Sequence, residues 1–354
     1  MNRELLAKDS YWMKDTREYP IVLSTRIRLA RNLADSPFPH AMSPSDAEKV
    51  EMKVTEAFAD FDFAGEALNY LPMKMLVPIE KKVLIEKHLI SPDFASNDQA
   101  RGIVLSDSHK AAIMVNEEDH LRVQVLLPGN SLKEALHLAG ILDDYLETRL
   151  DIAFKEKFGY LTTCPTNVGT GLRVSVMVHL PALVLTNQIQ QVLGAMTSLG
   201  LAVRGLYGEG SKAFGNIFQI SNQVTLGRNE EDTLTHLESV IGQLLERELT
   251  MREVLRKESQ LLVEDKVWRG RGVLENARIL NSEEIYSLLS EDKLGVDLGI
   301  LPSVSSGFIS TLINSMQGCL QYNLNEQLDP SRLNFERANF VRRVYAQKTS
   351  NNVI

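Results

Sequence analysis

The sequence predicts an α+β protein, with an antiparallel sheet flanked by helices followed by a smaller helical C-terminal domain. Three apolar segments separated by turns, 102–105, 111–115 and 121–127, are typical of neighbouring antiparallel strands. Helical patterns are interspersed among the strand patterns, which favours α+β over a doubly wound parallel sheet. The pattern becomes mainly helical after residue 254, so we expect one domain at 1–254 and another at 255–354.

The composition is that of a globular protein with an acidic balance. The 354 residues include 38 basic and 46 acidic ones, a formal net charge of −8, and 44% are hydrophobic. This length suits two domains with a sizeable core, and the acidic balance disfavours a dedicated nucleic-acid binder. The two cysteines, Cys164 and Cys319, make neither a disulfide framework nor a CxxC zinc site. The N-terminus lacks a signal-peptide core and no apolar run approaches about 18 residues, so we expect a cytoplasmic protein.

Local patterns predict the N-terminal elements. Residues 1–20 are polar and are expected to wrap the surface, whereas 21–33 starts as a strand and carries three arginines within six positions. Ser43 and Pro44 open a predicted helix that runs to about residue 61, because serine caps helices and proline suits the first helical position.

Later elements follow from capping residues and periodicity. Ser131 and Glu134 predict a capping box before a helix whose apolar stripe reaches residue 146. The remaining patterns predict, in order, a strand at 173–180, a helix at 186–199, strands at 201–204 and 217–225, an amphipathic helix at 230–262 and short helices beyond it.

Familiar nucleotide-binding and hydrolytic motifs are absent from the sequence. There is no GxxxxGK[ST] loop, no HRDxxxxN or DFG motif and no HExxH motif. The stretch from Gly169 to Gly171 is too short for a dinucleotide fingerprint. The sequence therefore excludes a P-loop enzyme and a protein kinase of the eukaryotic type.

Arginines recur at or beside the predicted strands. Guanidinium groups are planar, permanently charged forks that match phosphate oxygens, and several converging on one point would repel each other unless a polyanion lay between them. Any single one of these arginines could instead form a surface ion pair. Taken together they predict a phosphate site formed by Arg26, Arg28, Arg122, Arg173 and Arg204.

Acidic residues provide a second candidate group. Residues 116–120 follow an apolar strand, and Glu209 lies in a loop rich in glycine. Such clusters are often solvated turns, but two carboxylates can also orient a cationic substrate and act as its base. Cys164, in a polar loop before Arg173, is either an inert small residue or a thiolate favoured by positive charge. Cys319, in a helical pattern, is assigned to packing.

Four ordered blocks resemble the phosphagen (guanidino) kinase family over roughly residues 20–254. They are STRIR at 24–28, NEEDHLR at 116–122, CPTNVGTGLR at 164–173 and RGLYGE at 204–209. The resemblance implies transfer of the γ-phosphoryl group of ATP to a guanidino nitrogen, with Mg²⁺ held by the nucleotide phosphates and water. It also implies that Glu118 and Glu209 grip the guanidinium, with Cys164 against it.

The same resemblance implies an extended ATP-binding set around the arginines. Its members are Ser24, Thr25, Arg26, Ile27, Arg28, His88, Arg122, Arg173, Val174, Ser175, Val176, Met177, Arg204, Gly205, Leu206, Tyr207 and Gly208. The chemistry fits, because phosphoryl transfer depends on positioning and charge neutralisation, and a guanidinium must lose a proton before it attacks.

The order of the domains resembles the bacterial protein-arginine kinase (McsB type) branch of that family. The first block begins at Ser24, which leaves no room for the N-terminal helical domain of small-guanidine kinases, while about a hundred residues follow the catalytic part. The branch implies protein substrates with exposed arginines, which are marked for a Clp unfoldase and its protease. It also implies a zinc-binding activator protein and a homodimer. The acidic balance and the lack of a long apolar run lead us to expect no contact with nucleic acid or membrane.

The C-terminal domain of that branch implies an allosteric phosphoarginine site, here at Arg337 and Ala338. The branch motif Arg-Asp-x-x-Arg-Ala is replaced by Leu-Asn-Phe-Glu-Arg-Ala at 333–338, and Lys212 stands where an acidic residue is usual. Two alternatives stay open. One is a kinase for free arginine or another small guanidine, and the other is a non-catalytic adaptor that binds phosphoarginine.

Overall fold

The structure is a computed structural model that describes residues 3–15, 20–97, 100–205, 214–304 and 306–347. The chain forms two compact units, each assembled from three segments. The first comprises Met1–Trp12, Ser24–Val176 and Ser221–Glu238, and the second comprises Met13–Leu23, Met177–Ile220 and Ser239–Ile354.

Among the described residues, nine strands form the main sheet, in the order β10-β11-β9-β1-β6-β5-β4-β3-β2, and β7 and β8 form a separate hairpin. Every strand ladder from β1 through β6, β5, β4 and β3 to β2 is antiparallel, so the predicted α+β fold is confirmed. The strands are β1 (Val22–Arg31), β2 (Asp62–Phe63), β3 (Glu66–Pro72), β4 (Gly102–Ser106), β5 (Ala111–Val115), β6 (Leu121–Pro128), β7 (Phe154–Lys155), β8 (Gly159–Tyr160), β9 (Leu172–His179), β10 (Leu201–Gly205) and β11 (Ile217–Asn222).

Thirteen α-helices lie among the described residues, and none of them is long and apolar enough to cross a membrane. They are α1 (Arg3–Ala7), α2 (Pro44–Phe58), α3 (Pro78–Glu86), α4 (Pro92–Ala95), α5 (Leu132–Arg149), α6 (Pro181–Leu185), α7 (Ile189–Ser198), α8 (Glu230–Glu258), α9 (Gln260–Asn276), α10 (Ser282–Asp297), α11 (Phe308–Asn314), α12 (Gln317–Leu324) and α13 (Pro330–Ala346).

The register of β1 against β6 decides which side chains share a face of the sheet. Arg28 lies opposite Gln124, and Ala30 lies opposite Arg122. Because opposed residues in an antiparallel pair point to the same side, Arg26, Arg28, Gln124 and Arg122 share one face. That face carries the predicted phosphate-binding arginines of both strands.

The opposite face of the same strands forms the core of the first unit. Ile27, Leu29, Val123 and Val125 are all buried there. Arg31 is two residues from Leu29, so its side chain points to this same inner face. There it pairs with Asp143 of α5, at 2.8 Å from Nε to Oδ1 and 2.5 Å from Nη2 to Oδ2. Arg31 is fully buried, so its charge is satisfied inside the protein.

Two predicted helix starts have different outcomes. Ser43 caps α2 and forms a capping box with Asp46, so that prediction is confirmed. The capping box of Ser131 and Glu134 is wrong, because Ser131 makes no side-chain cap bond to α5. Its hydroxyl donates to Pro128 O at 2.9 Å instead, and its backbone N–H donates to Thr25 Oγ1 at 3.0 Å. The end of β6 thus uses the hydroxyl that the local pattern assigned to the helix.

The N-terminal residues do more than wrap the surface. Leu5 and Leu6 on α1 are buried, and Trp12 is only 1% exposed. The ammonium group of Lys87 donates to Leu6 O and Lys8 O, both at 2.6 Å. A few apolar side chains within a polar segment are enough to anchor it, which corrects the prediction for residues 1–20.

The second unit contains the C-terminal helices. The predicted helix at 230–262 ends earlier, at Glu258, and α9 starts after Ser259. Within this unit Glu248 accepts from the backbone N–H groups of Ala182 and Leu183 at the start of α6, at 3.1 and 3.0 Å. It also pairs with Arg252 at 2.9 Å, so the buried carboxylate is fully partnered.

Candidate active site

Four of the five predicted phosphate-binding arginines form one electrostatic cluster in the first unit. Arg26 and Arg28 lie on β1 and Arg122 lies on the same face of β6. Arg173 lies on β9, the neighbour of β1 on its other side. Arg28 interacts electrostatically with each of the other three. The structure therefore brings these four together, as the sequence predicts.

Arg28 is at the centre of this arginine cluster. Burial, followed by repulsion from the three neighbouring arginines, lowers the pKa of Arg28 well below its ordinary value, and Glu117 opposes that shift. The buried Nε of Arg28 has no hydrogen-bond partner among the residues that the structure describes. A buried cation crowded by like charges is stabilised by an anion, so the cluster fits a phosphate chain.

Glu117 provides the negative charge of the cluster. Arg122 Nη1 lies 2.5 Å from each oxygen of the Glu117 carboxylate, and Ser91 Oγ donates to Oε1 at 2.6 Å. Burial alone would raise the pKa of Glu117, but Arg122, Ser91 and Arg28 together hold it below its usual value. Glu117 is therefore ionised at neutral pH and joins the loop of Ser91 to the arginines.

His88 lies beside the same cluster. Burial of its ring, with Arg26 nearby, lowers the pKa of His88 to about 3. The imidazole is therefore neutral at physiological pH and adds no further cation to the arginines. Its backbone oxygen accepts a hydrogen bond from Gln124 Nε2 at 2.9 Å, which links the loop to the arginine-bearing face.

A cleft of about 330 Å³ lies next to Glu117 in the first unit. The residues that line it come from four places: the segment 39–47 at the start of α2, residues 97 and 101 before β4, the turn between β5 and β6, and the loop before Cys164. They include Arg101, Asn116, Glu117, Glu118 and Thr163. Glu117 lines the cleft and also binds Arg122, so the cleft adjoins the arginine cluster.

Glu118 presents its carboxylate to this cleft. Loss of hydration beside the protein surface, together with the carboxylates of Asp119 and Glu117, raises the pKa of Glu118. A carboxylate of raised pKa is a better proton acceptor than an ordinary one once it is ionised. The geometry therefore combines a cleft, a carboxylate of raised pKa and an adjacent arginine cluster.

Asp119 connects the turn of Glu118 to the loop of Cys164. Its Oδ1 atom accepts from Asn32 Nδ2 and from the backbone N–H of Thr163, both at 2.6 Å. Cys164 is partly exposed and its Sγ lies 3.0 Å from Thr166 Oγ1. Thr163 lines the cleft, so the structure brings the segment that carries Cys164 to the same place as Glu118.

Many residues of the implied ATP-binding set have buried side chains. Thr25 Oγ1 donates to Gly129 O at 2.8 Å, and Ser175 Oγ lies 3.5 Å from Arg26 Nε. Side chains of this kind can influence a phosphate only through the arginines and loops that they hold. The members with buried side chains are Ser24, Thr25, Ile27, Val174, Ser175, Val176 and Met177, and Gly205 is buried as well.

The structure places some predicted residues elsewhere or does not describe them. Arg204 lies at the end of β10 in the second unit. Leu206, Tyr207, Gly208, Glu209 and Lys212 lie outside the described residues. The pairing of Glu118 with Glu209, and the approach of Arg204 to the other arginines, therefore remain predictions.

Arg337 and Ala338 lie on α13 in the second unit and are both buried. Arg337 donates from Nε to Ser315 O at 2.9 Å, and from Nη1 to Leu280 O at 2.8 Å and Asn334 Oδ1 at 2.6 Å. These contacts tie α13 to the loop before α10 and to the end of α11. Binding of phosphoarginine here remains a prediction, and it would have to compete with these carbonyl partners.

Several residues of the site are not predicted by the sequence. In the turn 116–120 the sequence predicts a role for Glu118 alone, whereas Glu117 binds Arg122 of the arginine cluster and Asp119 binds the Cys164 loop. The available signal was a carboxylate on each side of Glu118 within a turn that joins two strands. Arg101 and Thr163 carried no signal, because distant segments bring them to the cleft.

Two family models match this chain. One, described as ATP:guanido phosphotransferase, C-terminal catalytic domain, matches residues 49–251. The other, described as Protein-arginine kinase McsB C-terminal domain, matches residues 260–353. Together they cover most of the sequence in the order that the sequence analysis predicts.

Proteins named protein-arginine kinase are similar over nearly the whole chain. That of Moorella thermoacetica is 47% identical over 346 residues, which are 96% of this chain and 99% of that protein. That of Desulforamulus reducens is 48% identical over 338 residues, 94% of each protein. The predicted resemblance is thus confirmed.

Solved structures of guanidino kinases share the fold. A lombricine kinase matches with a TM-score of 0.58 and 27% identity, over 70% of each chain. The duplicated taurocyamine kinase of Schistosoma mansoni matches with a TM-score of 0.60 and 25% identity, over 68% of this chain. This chain spans about a third of that duplicated enzyme, 34% of its length.

Proposed function

Because this chain belongs to the ATP:guanido phosphotransferase family, and within it to the protein-arginine kinases, we propose that it phosphorylates arginine residues of proteins with ATP. The observation that carries the proposal is the position of Glu117. This residue lines a cleft that contains Glu118, and it also binds the arginine cluster. The proposed acceptor site and the proposed phosphate site therefore adjoin each other in the first unit.

The arginine cluster is the proposed site for the ATP phosphates. Arg26, Arg28, Arg122 and Arg173 neutralise the negative charge that shifts during phosphoryl transfer. Their mutual repulsion is relieved when a polyanion enters, so binding energy is available from the cluster itself. Arg204 is proposed to join them from β10.

Glu118 is the proposed base for the acceptor. A guanidinium ion has a pKa above about 12 and has no lone pair to attack phosphorus until it loses a proton. A carboxylate in the cleft can orient the planar fork through two hydrogen bonds and accept that proton. Glu209 is proposed as the second carboxylate, and Cys164 as a residue that packs against the guanidinium.

Mg²⁺ is proposed to be held by nucleotide phosphates and water, where it would neutralise charge on the β- and γ-phosphoryl groups. The donor set of the cluster fits this arrangement. Its guanidinium groups bind phosphate oxygens and repel a free cation. Glu117 is engaged by Arg122 and Ser91.

The division into domains is also proposed. A catalytic domain at 1–254 and a C-terminal helical domain at 255–354 are supported by the two family models and by the break between α8 and α9. The C-terminal domain is proposed to support a homodimer and to bind phosphoarginine. A zinc-binding activator and a Clp unfoldase are the proposed partners. Both cysteines are free, and on that ground we propose a cytoplasmic location.

The test is incubation with ATP, Mg²⁺ and an unfolded protein that carries arginines, followed by mass spectrometry without acid. We expect phosphate on arginine, lost in Glu118→Gln and retained in Glu134→Gln, which changes an exposed glutamate on α5. Phosphate only on serine, threonine or tyrosine would overturn the proposal. Phosphorylation of free arginine without any protein product would favour a small-guanidine kinase. Binding of phosphoarginine proteins without turnover would favour an adaptor.

A further inference from the structure

His88 has a backbone conformation that a histidine rarely adopts. Its φ angle is 57°, in the left-handed region where a side chain crowds the following carbonyl group. The residue follows Lys87, the C-cap of α3. His88 N donates to Ile85 O and Leu89 N donates to Leu84 O, both at 2.9 Å, so the left-handed residue closes the C-terminus of this helix.

Two side chains fix the peptide groups on either side of His88. The indole N–H of Trp12 donates to Lys87 O at 3.1 Å, and the amide of Gln124 donates to His88 O at 2.9 Å. One bond therefore holds the carbonyl before the His88 α-carbon and the other holds the carbonyl after it. Trp12 also contacts the imidazole edge-on, with ring centroids 5.5 Å apart at 68°.

We call Trp12 and Gln124, with their bonds to Lys87 O and His88 O, the His88 clamp. The segment that carries Trp12 is itself anchored. Lys87 is 1% exposed, and its ammonium group donates to Leu6 O and Lys8 O in the segment before Trp12. Further along the same segment, Tyr11 N donates to Ser108 O at 2.9 Å. A buried ammonium needs such partners, so Lys87 fastens the N-terminal segment to the end of α3.

The Gln124 side of the clamp belongs to the arginine-bearing face. Gln124 is directly opposite Arg28 in the β1–β6 register and is 2% exposed. Gln124 therefore links the backbone of His88 to the strand position opposite Arg28. The imidazole is kept neutral next to Arg26, and a neutral ring can pack against an aromatic base without repelling the arginines.

We propose that Trp12 and Gln124 are positioning residues that fix the two carbonyl groups flanking the α-carbon of His88, so that its ring is held ready to pack against the base of the nucleotide. The inference depends on the proposed function only in assigning a nucleotide to this site. It adds a role for an N-terminal tryptophan that lies more than 70 residues from the histidine it positions.

The test is a double-mutant cycle on MgADP binding, measured by calorimetry without any acceptor. Trp12→Phe keeps an aromatic ring but loses the N–H donor, and Gln124→Met keeps the length but loses the amide. One hydrogen bond corresponds to about a three- to tenfold change in affinity, and we expect each variant to weaken MgADP binding by that factor. Trp268→Phe, an exposed tryptophan on α9, is the matched control and should not change it.

The cycle identifies how the effect is transmitted. In a His88→Ala background, Trp12→Phe and Gln124→Met should cause little further loss, because residues that act through His88 have nothing left to position. Losses that add in full in that background would overturn the proposal, as would unchanged binding in both single variants. If Trp12→Phe does not fold, as judged by thermal unfolding, Gln124→Met decides the question alone.

Failure of the proposed function gives a different result. A wild-type protein that binds MgADP but phosphorylates no arginine would contradict the protein-arginine kinase assignment while leaving the cycle interpretable. A protein that phosphorylates arginine normally in both single variants, with unchanged MgADP affinity, would reject only the clamp.

Discussion

Glu117 binds Arg122 with both carboxylate oxygens at 2.5 Å from the same guanidinium nitrogen. This pair places one negative charge within a cluster of four arginines and beside the cleft that contains Glu118. The relationship explains how the cluster can be preformed: a counter-charge within the protein partly offsets the repulsion until phosphate arrives.

Glu117→Gln should separate nucleotide affinity from turnover. The substitution removes the counter-charge, so the net positive charge of the cluster rises by one and we expect MgATP to bind more tightly. Turnover should fall by at least about tenfold, because Arg122 loses charge-assisted bonds worth roughly 1.5–3 kcal/mol that aim it.

Calorimetry with MgADP at two salt concentrations, alongside initial rates, checks this expectation. The gain in affinity should shrink at high salt, since it is electrostatic. Weaker nucleotide binding in Glu117→Gln would contradict the role of counter-charge.

Glu118 should set the acid limb of the pH–rate profile. Its pKa is raised, and the ionised form is needed to accept the guanidinium proton, so kcat/KM should rise with pH through a value above that of an ordinary glutamate. The limb should be absent in Glu118→Asn, together with most of the activity. A limb at the ordinary glutamate pKa of about 4.3 would contradict the assignment.

The same shift predicts the stability of the Glu118 variant. A carboxyl group with a raised pKa binds its proton more tightly in the folded state than in the unfolded state, so its contribution to stability falls as pH rises through that range. Glu118→Gln removes this penalty. Its melting temperature at neutral pH should therefore equal or exceed that of the wild type, and a clear decrease would count against the carboxylate being destabilised.

Neighbouring threonines should respond in opposite ways to the same change. Thr163 Oγ1 is buried and has no hydrogen-bond partner in the described part of the chain, whereas Thr162 Oγ1 donates to Cys164 O at 2.8 Å. Thr163→Val should be neutral or stabilising, because it removes an unsatisfied polar group. Thr162→Val should cost about 0.5–1.5 kcal/mol, the net value of a hydrogen bond.

Denaturant unfolding of both valine variants measures the difference directly. Equal destabilisation of the two would mean that Thr163 Oγ1 has a partner in solution, such as an ordered water.

Arg31 should prove structural even though it lies three positions from Arg28. It is fully buried against Asp143 and also donates to Ala30 O at 2.9 Å and Thr170 O at 3.0 Å. Arg31→Met leaves the Asp143 carboxylate buried without its partner, which should cost about 3–5 kcal/mol of unfolding free energy.

The double variant Arg31→Met, Asp143→Leu should recover much of that loss, because no unpaired charge remains. Unfolding measurements on the two single variants and the double variant give the coupling. Strict additivity would indicate that the pair contributes nothing beyond its separate residues.

Local patterns predicted the elements well where the signal lies within a few residues. The predicted strands at 102–105, 111–115 and 121–127 agree with the structure to within one residue, and the predicted start of α2 at Ser43 is confirmed, because alternation and capping act over short distances. The Ser131 capping box failed because the serine hydroxyl donates to Pro128 O at the end of β6 instead of capping α5. A local capping preference is overridden when the side chain has a different hydrogen-bond partner in the fold.

The sequence alone determined the family, and it determined to which face of the sheet Arg26, Arg28 and Arg31 point. Arg26 and Arg28 are two residues apart, and in a strand that spacing alone puts them on one face, while Arg31, at odd spacing, must point the other way. What each residue meets there was decided by the tertiary structure. The partners come from other segments of the chain: Glu117 balances the charge of Arg122, Asp143 pairs with the buried Arg31, and the indole of Trp12 bonds the carbonyl before His88. Side-chain direction is a local property of the backbone, but a partner depends on which distant segments pack together, and no local pattern encodes that.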